Sequence, residues 1–570
     1  MTWELFEQKL DSVGYASKDK ELIRGAFQFA ENAHKGQTRA SGDPYFTHVF
    51  EVASNVVEIH LDAHAVAASF LHDTVEDCNV SHETILQKFG EEIAFLVEGV
   101  TKLDKVQYSG VQRKVESVRR MFLAVAQDVR VVLIKLMDRL HNMQTISYLP
   151  EEKQRRIAKE TLELYAPLAY RLGIGELKGV LQDLAFPILY PDEAAWIKKE
   201  LEERVPEGKK YLEEIKPLVE ETLREENVIP LAIDFRAKHH YSLWQKLLHY
   251  DMDFARITDL LAMRIVVNSL EDCYKALGII HKLWKPLPGR IKDYIALPKP
   301  NGYRSLHTTV FCEGNRVTEF QIRTRQMHEE AEKGIAAHWA YEESGKPKRG
   351  KLTEKHFAWV QELPEWQKEV GNESTDEELL ESLKIDFFKD RIFVLTPKGE
   401  VIDLPDGATP VDFAYHIHTE IGDHMIGAKV NGKMVQFPHK LMSGDSVEIL
   451  TQKNRKPVAD WLTFVKTSIA KNRIRAALRH EAELHSAEQR KHTPEHYDLH
   501  ITSKDRVGLL KDISAVFSEF RINIQNISMM TQNKSFPVVV VSFQTRDEKQ
   551  KNRLLIKLKA IPGIEEIAIQ

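Results

Sequence analysis

The chain has 570 residues, too many for one hydrophobic core, and at roughly 100 to 200 residues per domain it divides into about three to five domains. Its balance of 43% hydrophobic and 29% charged residues excludes a mainly disordered, collagenous or membrane-embedded chain. Lysine and arginine number 79 against 85 aspartates and glutamates, a net charge of −6, which excludes the overall basic field of a general nucleic-acid binder, so any polyanion must be gripped locally.

The amino-terminal run MTWELFEQKLDSVGY is charged throughout and has no apolar core with a cleavage site, and no segment approaches the roughly 18 apolar residues of a membrane span. A cytoplasmic protein without membrane attachment is expected. Cys78, Cys273 and Cys312 lie far apart, which excludes a disulfide framework and a cysteine-based zinc module and suits a reducing compartment. From residue 1 to 200 apolar residues recur at helical spacing, as in LIRGAFQFAENA and VRRMFLAVAQDVRVVLIKLM, so an all-helical domain is expected. Within it, His72 and Asp73 are followed at four-residue spacing by Glu76 and Asp77, which one continuous helix would bring to one region. His48 and Asp138 interrupt other apolar helical faces. Together these residues offer two imidazoles and two carboxylates to one divalent ion such as Mn, Fe or Zn. Taken singly, each His reads better as a hydrogen-bonded core residue and each acid as a solvated face.

Residues 201–345 read as a mixed α/β domain, with apolar runs ITDLLAMRIVV, HTTVFCE and VTEFQIRT between helical stretches. The segment FRAKHHYSLWQKL gathers Arg236, Lys238, His239, His240 and Lys246 around Ser242, which is expected to cap a helix starting near Leu243; the cations beside that helix start are suited to hold a polyphosphate. Asp259 and Glu319 sit at the edges of apolar strands, and Glu319, Gln321 and Arg323 share a strand face. Between them Pro298, Pro300 and Gly302 shape a loop that presents Tyr303 among Lys299, Arg304 and His307, an arrangement suited to a purine and its phosphates. A Walker A loop is absent, which disfavours a P-loop kinase. A linker with an exposed helix is expected over 346–386, a small β-rich module over 387–452, a short helical connector over 453–496, and a βαββαβ domain over 497–570.

The runs HKGQTRASGDPY, HDTVED and KLMDRLHNMQT resemble the HD phosphohydrolase superfamily, and more narrowly the hydrolase domain of the long RelA/SpoT-type (p)ppGpp synthetase/hydrolases. The resemblance implies that His48, His72, Asp73 and Asp138 hold Mn2+, that Glu76 and Asp77 serve catalysis, and that Arg39, Ser41, Asn142 and Thr145 contact the nucleotide. Ala40 and Val49 depart from the usual basic residue and proline without removing a ligand. Residues 205–341 resemble the synthetase domain of the same family. There Asp259 would bind Mg2+, Glu319 would activate the acceptor 3′-hydroxyl and help hold the metal, and Tyr303 would stack on guanine. Arg236, Lys238 and Lys246 would hold ATP, and Arg264, Lys299, His307, Gln321 and Arg323 would complete the nucleotide contacts. Arg290, Ile291, Lys292 and Asp293 fit the RxKD form of bifunctional members.

The β-rich module resembles a TGS domain of β-grasp fold, and the terminal domain a ferredoxin-like ACT domain. Asp505, Arg506 and Gly508 mark a turn where a small-molecule effector would bind, although a simple helix cap accounts for it equally well. Only about 45 residues (452–496) separate the two modules, so the zinc-finger module of longer relatives is absent or reduced. Asp423 stands where ribosome-responsive relatives place a His. The ribosome, tRNA and self-association therefore stay open as partners. The expected substrates are ATP, GDP or GTP, and (p)ppGpp, synthesised and hydrolysed at two separate sites. A rival reading keeps hydrolysis alone, with a degenerate synthetase domain as nucleotide-binding regulator; another makes the chain a ligand-sensing scaffold.

Overall fold

A computed structural model describes residues 1–104, 120, 121, 124, 125, 127–257, 259–299, 301–337, 391–492, 495–530, 537–545 and 548–569. The expected linker helix at 346–386 and Pro300 lie outside these residues. Packing divides the chain into two compact units, Met1–Gln452 with Phe464–Asn472, and Lys453–Thr463 with Arg473–Gln570.

The first unit opens with helices α1 (Trp3–Val13), α2 (Ser17–Ala33), α3 (Phe46–Glu58) and α4 (Ala63–Leu71). Helix α2 buries Ile23, Ala26, Phe27 and Ala30, the i, i+3, i+4, i+7 stripe of an amphipathic helix. Helix α4 is buried nearly all round and lies at the centre of the domain, where Phe70 meets Phe6 and Phe27 edge to face at 5.0 and 5.5 Å between ring centroids. Asp62 caps it by accepting from the Ala65 amide at 2.8 Å. The segments that follow are α5 (Thr74–Asp77), α6 (His82–Phe89) and α7 (Glu91–Asp104). After them come α8 (Val129–Gln144), α9 (Glu151–Glu160), a π-helical turn at Thr161–Tyr165, α10 (Ala166–Arg171), α11 (Gly175–Leu189) and α12 (Pro191–Glu225).

Two expectations about the helices are corrected. The segment HDTVED is not one helix: α4 ends at Leu71, His72 and Asp73 form a turn, and α5 is only four residues long. The expected change of domain at 200 falls inside α12, one helix of 35 residues. Its first half packs Ile197 and Leu201 against Phe186, Leu243 and Trp244, while its second half packs Leu212, Ile215, Val219 and Leu223 against the sheet that follows. The texture of the sequence changes where the strands begin, but the helix that supports them starts 41 residues earlier at Pro191 before Ala232.

That sheet is built from β1 (Ala232–Ala237), β2 (Leu261–Val267), β3 (Lys285–Pro286), β4 (Lys292–Asp293), β5 (Leu306–Phe311) and β6 (Val317–Thr324). Its order is β1-β2-β6-β5-β3 with β4 beside β5; β2 and β6 run parallel, and the other pairs antiparallel. Helices α13 (His240–His249), α14 (Leu270–Leu283) and α15 (Arg325–Lys333) accompany it. Helix α13 begins at His240 with His239 at its cap position and no side-chain cap, so Ser242 sits inside the first turn and does not cap the helix as expected.

The β-rich module has a hairpin, β7 (Arg391–Leu395) with β8 (Val401–Pro405), then α16 (Pro410–Ile417) and α17 (Thr419–Asp423). A three-stranded sheet follows, of β9 (Met425–Val430), β10 (Lys433–Val435) and β11 (Val447–Thr451). Thr409 and Asp412 form a reciprocal capping box at the start of α16. Helix α18 (Ser468–His492) follows. In the second unit β12 (Glu495–Ser503), α19 (Leu509–Glu519), β13 (Ile524–Met530), β14 (Val538–Thr545), α20 (Glu548–Lys559) and β15 (Ile564–Ile569) give the expected βαββαβ sequence, with strand order β13-β14-β12-β15. Among the described residues no helix is long and apolar enough to cross a membrane.

Candidate active sites

The helical domain brings its polar residues together at the ends of buried helices. His48 lies in the first turn of α3, His72 just beyond α4, and Asp138 within α8, and all three are buried. One donor atom from each falls within 4.8 Å of the others. His48 Nε2 is 3.1 Å from Asp138 Oδ1 and 3.5 Å from Asp73 Oδ2, and His72 Nε2 is 3.2 Å from Asp73 Oδ1. The predicted set of four thus converges.

The protonation pattern fits a cation. His72 Nδ1 lies 2.7 Å from the Ser69 carbonyl and donates to it, which leaves Nε2 as a lone pair; that atom is buried and makes no hydrogen bond. Such an orphan costs energy unless something fills the gap. On the other side, Arg39 Nη1 donates to His141 Nδ1 at 3.1 Å, and His48 Nδ1 is 2.7 Å from the same nitrogen. Arg39 can only donate, so His141 Nδ1 accepts and His48 Nδ1 must carry the proton. His48 Nε2 then also presents a lone pair to the acids. Burial, with His48 and Arg39 nearby, pushes the His141 imidazole down to about 4, which agrees with a neutral acceptor. Burial opposes ionisation of Asp138, but the Lys135 ammonium beside it more than offsets this and holds the carboxyl well below the usual range. The Asp73 and Asp138 carboxylates outweigh burial and raise the His72 imidazole above its ordinary range, so the cluster is built to hold positive charge, and two imidazoles with ionised carboxylates fit a divalent cation.

Around this cluster, Arg39 Nη2 donates to Asn142 Oδ1 at 2.7 Å and Nη1 to Thr145 Oγ1 at 3.1 Å, while Asn142 Nδ2 donates to Asp138 Oδ1 at 2.6 Å. Three of the four predicted nucleotide contacts therefore form one network with a metal-site acid. Ser41 stays apart, bonded at 2.8 Å to Asp43 within its own turn. Glu76 and Asp77 are exposed at the rim. Sequence reasoning missed Tyr45, Lys135 and His141. Tyr45 donates to Asp73 Oδ2 at 2.8 Å, and Lys135 to Asp138 Oδ2 at 2.5 Å. Lys135 had a usable signal, a cation three residues before an acid within an apolar helix.

A second cavity, of about 300 Å³, opens beside the sheet and is lined by Arg236, Lys238, Asp259, Lys299, Tyr303 and Glu319, among others. Asp259 and Glu319 thus face one space. Asp259 accepts from Lys238 at 2.5 Å and from Lys246 at 2.6 Å. Burial opposes its ionisation, yet the two ammonium groups bring its carboxyl down to about 2. Glu319, opposite Thr309 on β5 and Ala262 on β2, accepts from Gln321 Nε2 at 2.9 Å and lies 3.1 Å from His307 Nδ1. Although buried, its carboxyl is held below the ordinary range by these two neighbours. Tyr303 Oη is 2.8 Å from His307 Nε2, and the Lys299 ammonium lies 5.3 Å from the Tyr303 ring centroid.

Two predicted contacts are engaged by protein acids and a histidine. Arg264 is forked onto Asp234 at 2.7 and 2.9 Å and donates to Glu332 at 2.9 Å. Arg323 shares the face of Glu319 and Gln321 but is fully buried, donating to His328 at 2.7 Å and Glu332 at 3.0 Å. Alternation along the strand gave the side correctly; α15 covers the far end of that side.

His239 links the helical domain to this cavity. Its Nδ1 lies 2.8 Å from Asp183 Oδ2 and its Nε2 3.5 Å from Glu176 Oε1, both acids on α11. Hydrogen bonds to Asp183 and Glu176 outweigh burial and push its imidazole up to about 9. Because the folded value lies above the ordinary 6.5, the stabilisation, up to about 3 kcal/mol, is complete below pH 6.5 and lost as pH rises through 9. The melting temperature of the wild-type chain should fall over that window, and that of His239→Gln should change less; parallel profiles would contradict the assignment.

In the second unit, Gly508 caps α19 at φ 91° and Arg506 donates to Asp512 at 2.5 Å and to the Pro562 carbonyl at 2.9 Å. In the first, Asp423 accepts from Tyr415 at 2.9 Å.

Comparison with known proteins agrees with this arrangement. Residues 26–175 match the HD domain family, 235–346 the region found in RelA/SpoT proteins, 392–451 the TGS domain and 496–568 the ACT domain. The chain is 46% identical over 467 residues to a GTP pyrophosphokinase of Myxococcus xanthus, covering 81% of this chain and 61% of that one. It is 45% identical over 460 residues to a guanosine-3′,5′-bis(diphosphate) 3′-pyrophosphohydrolase of Aquifex aeolicus, covering 80% and 65%. To the bifunctional (p)ppGpp synthase/hydrolase SpoT of Escherichia coli K12 it is 44% identical over 467 residues, covering 82% and 66%. The chain thus spans 61 to 66% of the length of these relatives. With an HD domain, a RelA/SpoT region, TGS and ACT in this order and close to half of its aligned residues shared with such proteins, the chain belongs to the RelA/SpoT family.

Proposed function

We propose that the chain is a bifunctional alarmone enzyme. One site transfers the β,γ-pyrophosphate of ATP to the 3′-oxygen of GDP or GTP, giving (p)ppGpp and AMP; the other hydrolyses (p)ppGpp to GDP or GTP and pyrophosphate. The observation that carries this reading is that both clusters are complete and separate: imidazole lone pairs and acids converge among helices, and two ionised carboxylates share a cation-lined cavity beside the sheet.

At the hydrolytic site His48, His72, Asp73 and Asp138 hold Mn2+. When bound, the ion supplies Lewis acidity toward a phosphoryl oxygen and lowers the pKa of water. Glu76 and Asp77, at the exposed rim, take and return protons. Arg39, Asn142 and Thr145 orient the nucleotide, with Ser41 at the edge. His141 keeps His48 in the tautomer that offers Nε2. His141→Gln should weaken Mn2+ binding about 10- to 100-fold, the usual cost of losing a partner behind a metal ligand; calorimetric titration showing an unchanged affinity would refute that role.

At the synthetic site Arg236, Lys238 and Lys246 hold the ATP phosphates, and Asp259 and Glu319 accept the Mg2+ that accompanies them, since such ions are held by one or two carboxylates plus phosphate oxygens. Glu319 takes the proton of the acceptor 3′-hydroxyl, Tyr303 stacks on guanine, and Lys299, His307 and Gln321 line the acceptor's place. Arg264 and Arg323 both donate to Glu332, which lines the same cavity, and are held there beside the nucleotide's place. Placing charge and holding the acceptor in line account for most of such a transfer. The hydrolase occupies the helices before α12 and the synthetase runs from the second half of α12 to 345, with TGS and ACT modules over 387–452 and 497–570 that bias the balance and a small-molecule effector at the Asp505–Gly508 turn. These substrates place the enzyme in the cytoplasm. Incubating the purified chain with ATP, Mg2+ and GDP or GTP, and separately with labelled ppGpp and Mn2+, tests the reading; it fails if either reaction is absent.

A further inference from the structure

The HD match ends at 175 and the RelA/SpoT match begins at 235, yet the cavity beside the sheet is also lined by Glu176, Lys178 and Gly179 of α11 and by Tyr170 of α10. One wall of the nucleotide cavity therefore comes from the helical domain, in part from a segment that neither match covers.

This wall is firmly joined to the loop that presents Tyr303. Asn301 Nδ2 donates to the Tyr170 carbonyl at 3.1 Å, and the Ile335 amide to the Leu172 carbonyl at 3.0 Å. Gly173 and Gly334 meet backbone to backbone at φ 83° and 59°, and a Cβ on Gly334 would lie 2.4 Å from the Leu172 carbonyl oxygen. Only glycine permits that approach.

The cations of the cavity fall into two groups. Lys238 and Lys246 are neutralised by Asp259, and Arg236 lies 3.6 Å from Glu176. Lys178 and Lys299 instead rest on aromatic faces, Lys178 at 4.4 Å from the Tyr170 ring centroid and Lys299 at 4.7 Å from that of Tyr294, with no carboxylate partner among the described residues. An ammonium on a ring face keeps its donors largely unspent. It is therefore available to a polyanion without first breaking an ion pair.

We infer that Lys178 is a phosphate-binding residue of the synthetic cavity, so that a nucleoside di- or triphosphate bound there is gripped from the helical domain as well as from the sheet. The inference rests on the synthetase reading above. Its test is calorimetric titration of the full chain with GDP, and separately with a non-transferable α,β-methylene analogue of ATP plus Mg2+. Lys178→Ala should weaken one of the two about tenfold, the worth of one hydrogen bond to a charged group, and Lys178→Arg should recover most of the loss. The arm that responds identifies which nucleotide's phosphates the lysine meets. An unchanged melting temperature in Lys178→Ala excludes a folding defect. Wild-type affinity for both ligands in Lys178→Ala overturns the inference while leaving the synthetase reading intact. A wild-type chain that binds neither ligand overturns both.

Discussion

Asp73→Ala should lower (p)ppGpp hydrolysis by more than about a hundredfold, beyond the usual cost of losing an outer partner of a metal ligand, while pyrophosphoryl transfer from ATP continues at the wild-type rate. Asp73 touches both imidazoles of the cluster, at 3.2 and 3.5 Å, and receives the Tyr45 hydroxyl at 2.8 Å. Its removal leaves the lone pairs of His48 and His72 with Asp138 as the remaining acid, a site too poor in charge to hold a divalent ion tightly. The turn carrying His72 and Asp73 is packed among helices, whereas Asp259 and Glu319 belong to the sheet's cavity, so the transfer reaction does not depend on it. Initial rates of both reactions with purified protein check this. Loss of both would mean that the two clusters serve one reaction, and hydrolysis persisting at the wild-type rate would remove Asp73 from the site.

Glu319→Gln should produce the mirror image, lowering transfer about a hundred- to ten-thousandfold, the contribution of a positioned general base, with hydrolysis retained. The change keeps the shape of the side chain but removes the charge that His307 and Gln321 stabilise. A glutamine there can neither take the acceptor's proton nor help hold Mg2+. Wild-type affinity for GDP alongside the lost rate would place the defect in the chemical step and not in binding. Transfer at the wild-type rate would assign the base to another residue.

The parts readable from sequence were those in which side-chain chemistry disagrees with its surroundings. His48, His72, Asp73 and Asp138 interrupt apolar helical faces, and a buried polar residue in such a place needs a partner. The parts that were hidden depend on contacts between distant segments. The His48–His141 contact spans 93 residues and the Arg39–Asn142 bond 103, and nothing in the local pattern announces either. The break at His72–Asp73 was missed because HDTVED contains neither glycine nor proline; packing, not propensity, ends α4 there. Lys238 and Lys246 were read as phosphate ligands, and in the structure they neutralise Asp259, a pairing that a nucleotide must rearrange. The role of α11 was invisible, since Lys178 in GELKGVLQDL reads as an ordinary solvated lysine until the fold sets it on the rim of the neighbouring domain's cavity.

The most direct measurement follows one label through both reactions. The 570-residue chain is incubated with GDP, Mg2+, Mn2+ and ATP labelled in its γ-phosphate, and the products are resolved over time. The account predicts that label passes from ATP into the guanine nucleotide and then into inorganic pyrophosphate, that it accumulates in the guanine nucleotide with Asp73→Ala, and that with Glu319→Gln it leaves ATP at least about a hundredfold more slowly. Label reaching pyrophosphate at the wild-type rate in the Glu319→Gln protein, or never entering a guanine nucleotide with any of the three, would contradict it.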